Sequence, residues 1–172
     1  EWLAWASENH IDYRITGYMG FKPGNLYTFK PDHSDDTYAC PRTWEFANRL
    51  MKIMPLDNPD TLPLLSGTLS EGVAREFLTY CKIDDDLPKI AQIVAAPENI
   101  KVPVEPSILY AMTGSIGHHA TADNLAQLIK YILRLPKEFQ VVCLREIIRR
   151  NKSLLAHPAI QSWISTSKAS LF

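Results

Sequence analysis

Helical spacing of apolar residues runs through most of this chain, whereas no segment alternates apolar and polar residues as a β-strand would. The clearest case follows Pro41, which suits the first turn of a helix because that turn leaves its backbone N–H groups unused. Apolar residues then recur at helical spacing from Trp44 to Met54. The pattern therefore predicts a mostly α fold.

Similar patterns predict further helices, each bounded by proline, glycine or acidic residues. Thr68 and Glu71 have the spacing of a capping box, and Thr121 is placed to cap a later helix. Apolar residues four apart form one stripe after that capping box: Leu69, Val73, Phe77 and Cys81. Besides the helix from Pro41, the predicted helices span residues 1–9, 11–18, 69–82, 88–95, 106–118, 122–134, 137–150 and 158–169.

Two breaks in the helical pattern set the expected organisation of the chain. Residues 20–40 are predicted to form an ordered loop with four aromatic anchors, Phe21, Tyr27, Phe29 and Tyr38. A proline-rich connector lies near 97–105 and marks a boundary between two helical parts. We therefore expect a helical subdomain at 1–100 and a helical extension at 101–172, since 172 residues suit one or two small domains.

Composition says more about the environment in which the protein works than about its function. The formal net charge is −1, so no overall field draws the chain toward nucleic acid or an anionic membrane. Its apolar runs are far shorter than the roughly 20 residues that cross a bilayer. Three widely spaced cysteines favour a reduced, cytoplasmic location. The chain opens on Glu1 inside a helical pattern, from which we expect it to be a piece of a longer protein.

The motifs of a self-contained active site are missing from the sequence. A Walker loop needs Gly-x-x-x-x-Gly-Lys-Ser/Thr, whereas the only glycine cluster, Gly17, Gly20 and Gly24, is followed by no such lysine and is better explained as a structural turn. Neighbouring His118 and His119 lack the spacing of zinc ligands and are expected at a helix end or on the surface. The acidic residues 84–86 are expected to form a solvated turn, because calcium loops alternate their ligands.

Arg42 is the one candidate binding residue that the pattern singles out. It occupies the first turn of the helix from Pro41, where the positive end of the helix dipole disfavours a cation by up to about 1 kcal/mol. Glu45, three residues later, is one explanation, because it can pair with Arg42 across a turn. The other is an anion site, in which the helix N-terminus and the guanidinium bind a phosphate that another part of the protein supplies.

Segment 40–45, with the sequence Cys-Pro-Arg-Thr-Trp-Glu, resembles the sensor 2 segment of MoxR-type, dynein-related AAA+ ATPases, in which a Pro-Arg pair opens a lid helix. Segments 21–27, 67–77 and 131–139 also look like bacterial or phage members of this family, so the similar segments are spread from residue 21 to residue 139. The Walker motifs, sensor 1 and the arginine finger of that family lie upstream and are absent here. The resemblance thus implies an AAA+ lid-like bundle followed by a helical extension.

For function, the resemblance implies a parent ATPase that binds ATP and Mg²⁺, with Arg42 as its sensor 2 arginine. Such a parent would remodel other proteins in the manner of a chaperone. It also implies contacts with the AAA+ core, with neighbouring subunits in a ring and with a protein client. The chain alone is expected to bind no cofactor and to hydrolyse no ATP. The alternative is a non-enzymatic helical scaffold or adaptor that uses its helices only for protein contacts.

A basic stretch near the end of the chain is the remaining feature of interest. Four cations within eight residues surround one acid, Glu146: Arg145, Arg149, Arg150 and Lys152. We expect a solvated basic face here rather than a nucleic-acid site, so nucleic acid is not an expected partner. Three nearby aromatic residues are expected in the core rather than as stacking platforms: Tyr131, Phe139 and Trp163.

Overall fold

The computed structural model describes residues 1–32 and 36–168, and these residues fold into helices joined by short loops. No β-strand forms within the described ranges, which confirms the predicted mostly α class. The chain divides into two compact units, Glu1–Asp86 and Leu87–Phe172. Two predicted features fall partly outside the described residues: the loop at 20–40, which includes positions 33–35, and the last helix at 158–169, which includes position 169.

The first unit contains five α-helices among its described residues. They are α1 (Trp2–Glu8), α2 (Tyr13–Phe21), α3 (Pro41–Ile53), α4 (Thr61–Leu69) and α5 (Glu71–Asp85), with a short 3-10 helix at Pro23–Leu26. Helix α2 packs on α1 and α5, and α4 packs on α3 and α5. The predicted helix at 11–18 therefore starts later and runs further than expected.

Three aromatic side chains form the centre of the first unit. Tyr18, Trp44 and Phe77 are fully buried, and their ring centroids lie 5.2–5.8 Å apart. Such tilted and edge-on pairs contribute about 0.5–1.5 kcal/mol each beyond their burial. The rings come from α2, α3 and α5, so this cluster ties the three helices together. The predicted stripe from Leu69 to Cys81 is also buried.

The junction between α4 and α5 corrects the predicted capping box. Thr68 lies inside α4, where its hydroxyl donates to the Leu64 carbonyl, so it does not cap the next helix. The residue between the two helices is Ser70, whose φ of 83° and ψ of 153° end one helix and redirect the chain into the other. Residues 61–69, to which the sequence pattern assigned no helix before position 69, therefore form a separate helix followed by a single-residue turn.

The second unit is built from α6 (Ile90–Ala95), α7 (Pro106–His119), α8 (Leu125–Ile132), α9 (Lys137–Arg150) and α10 (Pro158–Lys168), with a 3-10 helix at Lys152–Ala156. Helix α6 packs on α7 and α8. Its Ile93 is fully buried, and the Arg134 guanidinium donates to the carbonyls of Pro97 and Ile100. The division after Asp86 differs from the predicted boundary at residue 100 because these contacts hold α6 in the second unit.

Helices α7 and α9 form the closest pair in the second unit. A Cβ atom on Gly117 would lie 2.6 Å from Cγ and 3.1 Å from Cβ of Glu146, so only glycine fits. Glu146 is buried and accepts from Nε of Arg150 at 2.7 Å. The absence of a side chain at Gly117 thus makes room for a buried ion pair.

The start of α8 differs from the predicted cap at Thr121. Asn124 takes the cap position, and its side-chain oxygen accepts from the Thr121 backbone N–H at 2.9 Å. Its amide nitrogen also donates to the His119 carbonyl, so Asn124 ties the α7–α8 turn together. In the part of the chain that the structure describes, no helix has the length and apolarity that a membrane crossing requires.

Candidate anion site at the start of helix α3

The first turn of α3 has the conformation that the Pro41 pattern predicted. Cys40 is the N-cap residue, in extended conformation, and Pro41 occupies the first helical position. The Thr43 hydroxyl accepts the Cys40 backbone N–H at 2.8 Å, while the Cys40 sulfur accepts the Thr43 backbone N–H. This reciprocal pair fixes the chain at the point where α3 begins.

Arg42 lies on the solvent side of this first turn. Its side chain is exposed, and among the described residues its guanidinium makes no hydrogen bond or ion pair. Glu45, the partner that the sequence offered as an alternative, instead accepts from Arg49 one turn further along α3. Intrahelical pairing with Glu45 therefore does not account for Arg42.

The Cys40 thiol reports on the electrostatics of this helix end. Burial raises the pKa of the thiol, but hydrogen bonds from Thr43, the Arg42 backbone N–H and the Arg42 charge together bring that pKa below its usual value. The Arg42 charge, one of the groups that lower this pKa, would also favour an anion bound at the start of α3.

A polar network joins α3 to the 3-10 helix and to α5. The buried Trp44 donates its indole Nε1–H to the backbone carbonyl of Asn25 at 2.9 Å. The Asn25 side-chain amide donates to Oε2 of Glu76 at 2.7 Å, and Tyr18 donates to the same oxygen at 2.8 Å. Lys22 pairs with the other oxygen of Glu76 at 3.0 Å. The 3-10 turn is therefore bonded to α3 on one side and to α5 on the other.

Three of the four segments that resemble the family converge in this network. Segment 21–27 supplies Lys22 and Asn25, segment 40–45 supplies Trp44, and segment 67–77 supplies Glu76. The fourth, 131–139, lies in the second unit and includes the buried Tyr131. Residues far apart in the first part of the chain thus meet in one network, which reaches α3 at Trp44, two residues after Arg42.

An exposed aromatic cluster lies on the loop that leads into α3. Its three members are Tyr27, Phe29 and Tyr38, with 60%, 47% and 38% of their surface exposed. Their ring centroids are 5.0–6.5 Å apart. The loop is fixed because Thr28 donates its backbone N–H to the Ala39 carbonyl and the Thr43 hydroxyl donates to the Tyr38 carbonyl. Two of the predicted anchors, Tyr27 and Phe29, therefore face solvent to a large extent.

The first unit also has an open cleft of about 800 Å³, and Arg42 is not part of its lining. Arg14 and Lys82 contribute positive charge to the lining, and Asp57 and Asp85 contribute negative charge. The Arg14 guanidinium is bound by the Asp12 carboxylate through two contacts of 2.8–2.9 Å, and this ion pair raises its pKa. The cleft therefore presents both signs of charge beside apolar side chains such as Leu56 and Leu62.

The glycine cluster and the two neighbouring histidines, which were also considered as binding residues, belong to helices. Gly17 and Gly20 lie inside α2 rather than in a turn. His118 and His119 end α7 as predicted, with Nδ1 of His119 at 2.8 Å from the Ser115 carbonyl. Within the described ranges, no group of histidine, cysteine and acidic side chains has the arrangement of a metal site.

The acidic and basic stretches are only partly solvated. Asp84 accepts a hydrogen bond from Tyr13 and is half-buried, and burial raises its pKa. Asp85 is exposed but belongs to α5, so the predicted solvated turn holds only for Asp86. In the basic stretch, Arg150 is buried with Glu146, with 12% and 11% of their side chains exposed. Arg145 and Lys152 remain exposed.

Sequence reasoning located Arg42 but missed the residues that hold its helix. Glu76 and Asn25 are polar residues at unremarkable positions, and their importance arises from contacts across 51 residues of sequence. Compared with known proteins, the chain matches no family model, no curated protein and no solved structure.

Proposed function

We propose that this chain is the lid and helical extension of a MoxR-type AAA+ ATPase, in which Arg42 contacts the nucleotide. The observation that carries the proposal is the exposed Arg42 guanidinium at the N-terminus of α3, which pairs with none of the residues that the structure describes. Groups at the same helix end lower the pKa of the Cys40 thiol. The resemblance of segments 21–27, 40–45, 67–77 and 131–139 to that family supports the same reading.

The chemistry assigned to this chain is recognition rather than bond cleavage. ATP with Mg²⁺ would be gripped by the core of the parent protein, and Arg42 would add charge-assisted hydrogen bonds to the terminal phosphate. Loss of that phosphate on hydrolysis removes the partner of Arg42. The lid is then free to move as a rigid body, so that a local change of charge becomes a mechanical displacement of a protein client.

The exposed aromatic cluster supports a role in assembly. A lid contacts its own core and a neighbouring subunit, and such a surface is expected to be apolar at its centre. Tyr27, Phe29 and Tyr38 are exposed on the loop that leads directly into α3. In the proposed ring oligomer this cluster is covered by protein.

The proposal is tested by Arg42→Ala in the full-length protein, with Arg49→Ala as the matched control. Both residues are exposed arginines on α3, but Arg49 already pairs with Glu45. We expect Arg42→Ala to lower ATP turnover by about tenfold or more, because an uncompensated charge contact is lost. Arg49→Ala is expected to leave turnover within about twofold, as surface ion pairs contribute little. Equal turnover in wild type and Arg42→Ala contradicts the proposal.

The coding sequence before Glu1 provides an independent test. A Walker glycine-lysine loop followed by an apolar run ending in Asp-Glu is expected there. An upstream region that encodes neither motif contradicts the ATPase parent and favours the non-enzymatic scaffold. The exposed aromatic cluster is the observation that suits that alternative, since a docking surface needs no nucleotide.

A further inference from the structure

Glu76 makes three polar contacts, although its side chain is exposed. It lies on α5 with 43% of its side chain exposed, yet its carboxylate binds Lys22, Asn25 and Tyr18 at 2.7–3.0 Å. These bonds lower the pKa of Glu76 against the effect of burial, which raises it. The carboxylate is therefore held in its charged form by groups from α2 and the 3-10 turn.

The contacts of Glu76 lead directly to α3. Asn25 binds Glu76 through its side chain and binds the Trp44 indole through its backbone carbonyl. Trp44 is fully buried two residues after Arg42 and packs edge-on against Phe77, the neighbour of Glu76 on α5. A displacement of the 3-10 turn consequently changes the hydrogen bond that fixes the first turns of α3.

We propose that Glu76 is a positioning residue for Arg42: by holding the turn at Pro23–Leu26 against α5, it fixes the orientation of the first turn of α3 and so the direction in which Arg42 meets a phosphate. This inference rests on the proposed function of Arg42. Glu76 acts through Asn25 and Trp44 and does not contact the nucleotide itself. Its role is to hold in place the first turn of α3, from which the exposed Arg42 side chain extends.

A double-mutant cycle in the full-length protein tests the coupling. The variants are Glu76→Ala, Arg42→Ala and the combination of both, with Glu71→Ala as the control. Glu71 lies on the same helix but pairs only locally with Arg75. We expect Glu76→Ala to lower ATP turnover by about twofold to thirtyfold when Arg42 is present and to cause no further loss in Arg42→Ala. Glu71→Ala is expected to leave turnover unchanged.

The outcomes separate this inference from the proposed function. If Arg42→Ala does not affect turnover, the proposed function fails and the positioning role fails with it. If Arg42→Ala lowers turnover but Glu76→Ala reduces it by the same factor in both backgrounds, only the positioning role is overturned. Glu76→Gln, which retains an acceptor oxygen, is expected to fall between wild type and Glu76→Ala.

A spectroscopic measurement on the 172-residue chain checks the link itself. The indole N–H resonance of Trp44 reports its bond to the Asn25 carbonyl, so Glu76→Ala is expected to shift this resonance and to speed its exchange with solvent. Circular dichroism confirms that the variant remains helical. An unchanged Trp44 resonance in a folded Glu76→Ala variant contradicts the proposed path.

Discussion

At the scale of single residues, two charged side chains on α3 behave in opposite ways. Arg49 pairs with Glu45 as helical spacing permits, whereas Arg42 is left exposed in a turn where a cation is unfavourable. The unfavourable interaction of Arg42 with the helix dipole is small, up to about 1 kcal/mol, but nothing in the described residues offsets it. In the proposed function, an anion supplied by another part of the protein offsets this cost.

Glu76→Gln is expected to alter the acid sensitivity of the chain. The folded state lowers the pKa of Glu76, so its contribution to stability is present above the ordinary glutamate pKa, about 4.3, and is lost as pH falls through the lowered value. Urea unfolding should therefore show a deficit for Glu76→Gln at pH 7 that narrows toward pH 3. Glu71→Gln, which removes an exposed ion pair, should show only a small deficit at pH 7. A Glu76→Gln deficit that does not depend on pH contradicts the assignment.

Gly117→Ala is expected to destabilise the second unit. The added Cβ meets Cβ and Cγ of Glu146, atoms too close to the α9 backbone to move aside cheaply. Such overpacking typically costs about 1–3 kcal/mol. Gly67→Ala is the control, because no atom lies within 4 Å of its added Cβ and alanine favours a helix by up to about 1 kcal/mol. Thermal unfolding should show opposite shifts, and a stabilised Gly117→Ala would refute the close approach of α7 and α9.

At the scale of elements, apolar spacing predicted most helices but not α4. Pro63 lies in its first turn, where the missing N–H costs nothing, so a residue usually read as a break is tolerated inside the helix. The separation of α4 from α5 depends on the backbone of Ser70 alone, and serine carries no signal for a positive φ. The capping-box pattern at Thr68 was therefore misleading, because the same residue types also suit a helix interior.

Ser70→Gly is expected to stabilise the α4–α5 junction. With φ of 83° and ψ of 153°, Ser70 occupies a region that glycine enters without strain, and its side chain makes no capping hydrogen bond. Relief of strain is expected to exceed the added flexibility of the unfolded chain, for a net gain of about 1 kcal/mol. Ser66→Gly, inside α4, should instead lose about 0.5–1 kcal/mol. Chemical denaturation of both variants provides the measurement, and a loss in Ser70→Gly contradicts the assigned backbone.

At the scale of the whole molecule, the two units have separate cores. The position of the boundary could not be read from composition, because the proline-rich connector at 97–105 looks like a linker. It is instead fixed by contacts, since Arg134 donates to carbonyls on this connector and Tyr131 donates to the Lys101 carbonyl. Long-range hydrogen bonds of this kind leave no local pattern. The same limit explains why the sequence points to Arg42 as a candidate residue but gives no sign of Glu76.

Fragments that begin at residue 87 and at residue 101 are expected to differ in stability. The shorter fragment lacks α6 and the fully buried Ile93, so it leaves a cavity whose cost is about 2–5 kcal/mol. The fragment 87–172 should unfold cooperatively on heating, and the fragment 101–172 at a clearly lower temperature. Equal midpoints would place α6 outside the second unit and restore the boundary at residue 100.

The most direct test of the central claim compares nucleotide affinities of the full-length protein with and without Arg42. Binding of ADP and of a slowly hydrolysed ATP analogue, each with Mg²⁺, is measured by titration calorimetry for wild type, Arg42→Ala and Arg49→Ala. A contact with the terminal phosphate predicts that Arg42→Ala weakens binding of the ATP analogue by about tenfold or more and leaves binding of ADP nearly unchanged, while Arg49→Ala matches wild type. Equal affinities of wild type and Arg42→Ala for the ATP analogue would contradict the account.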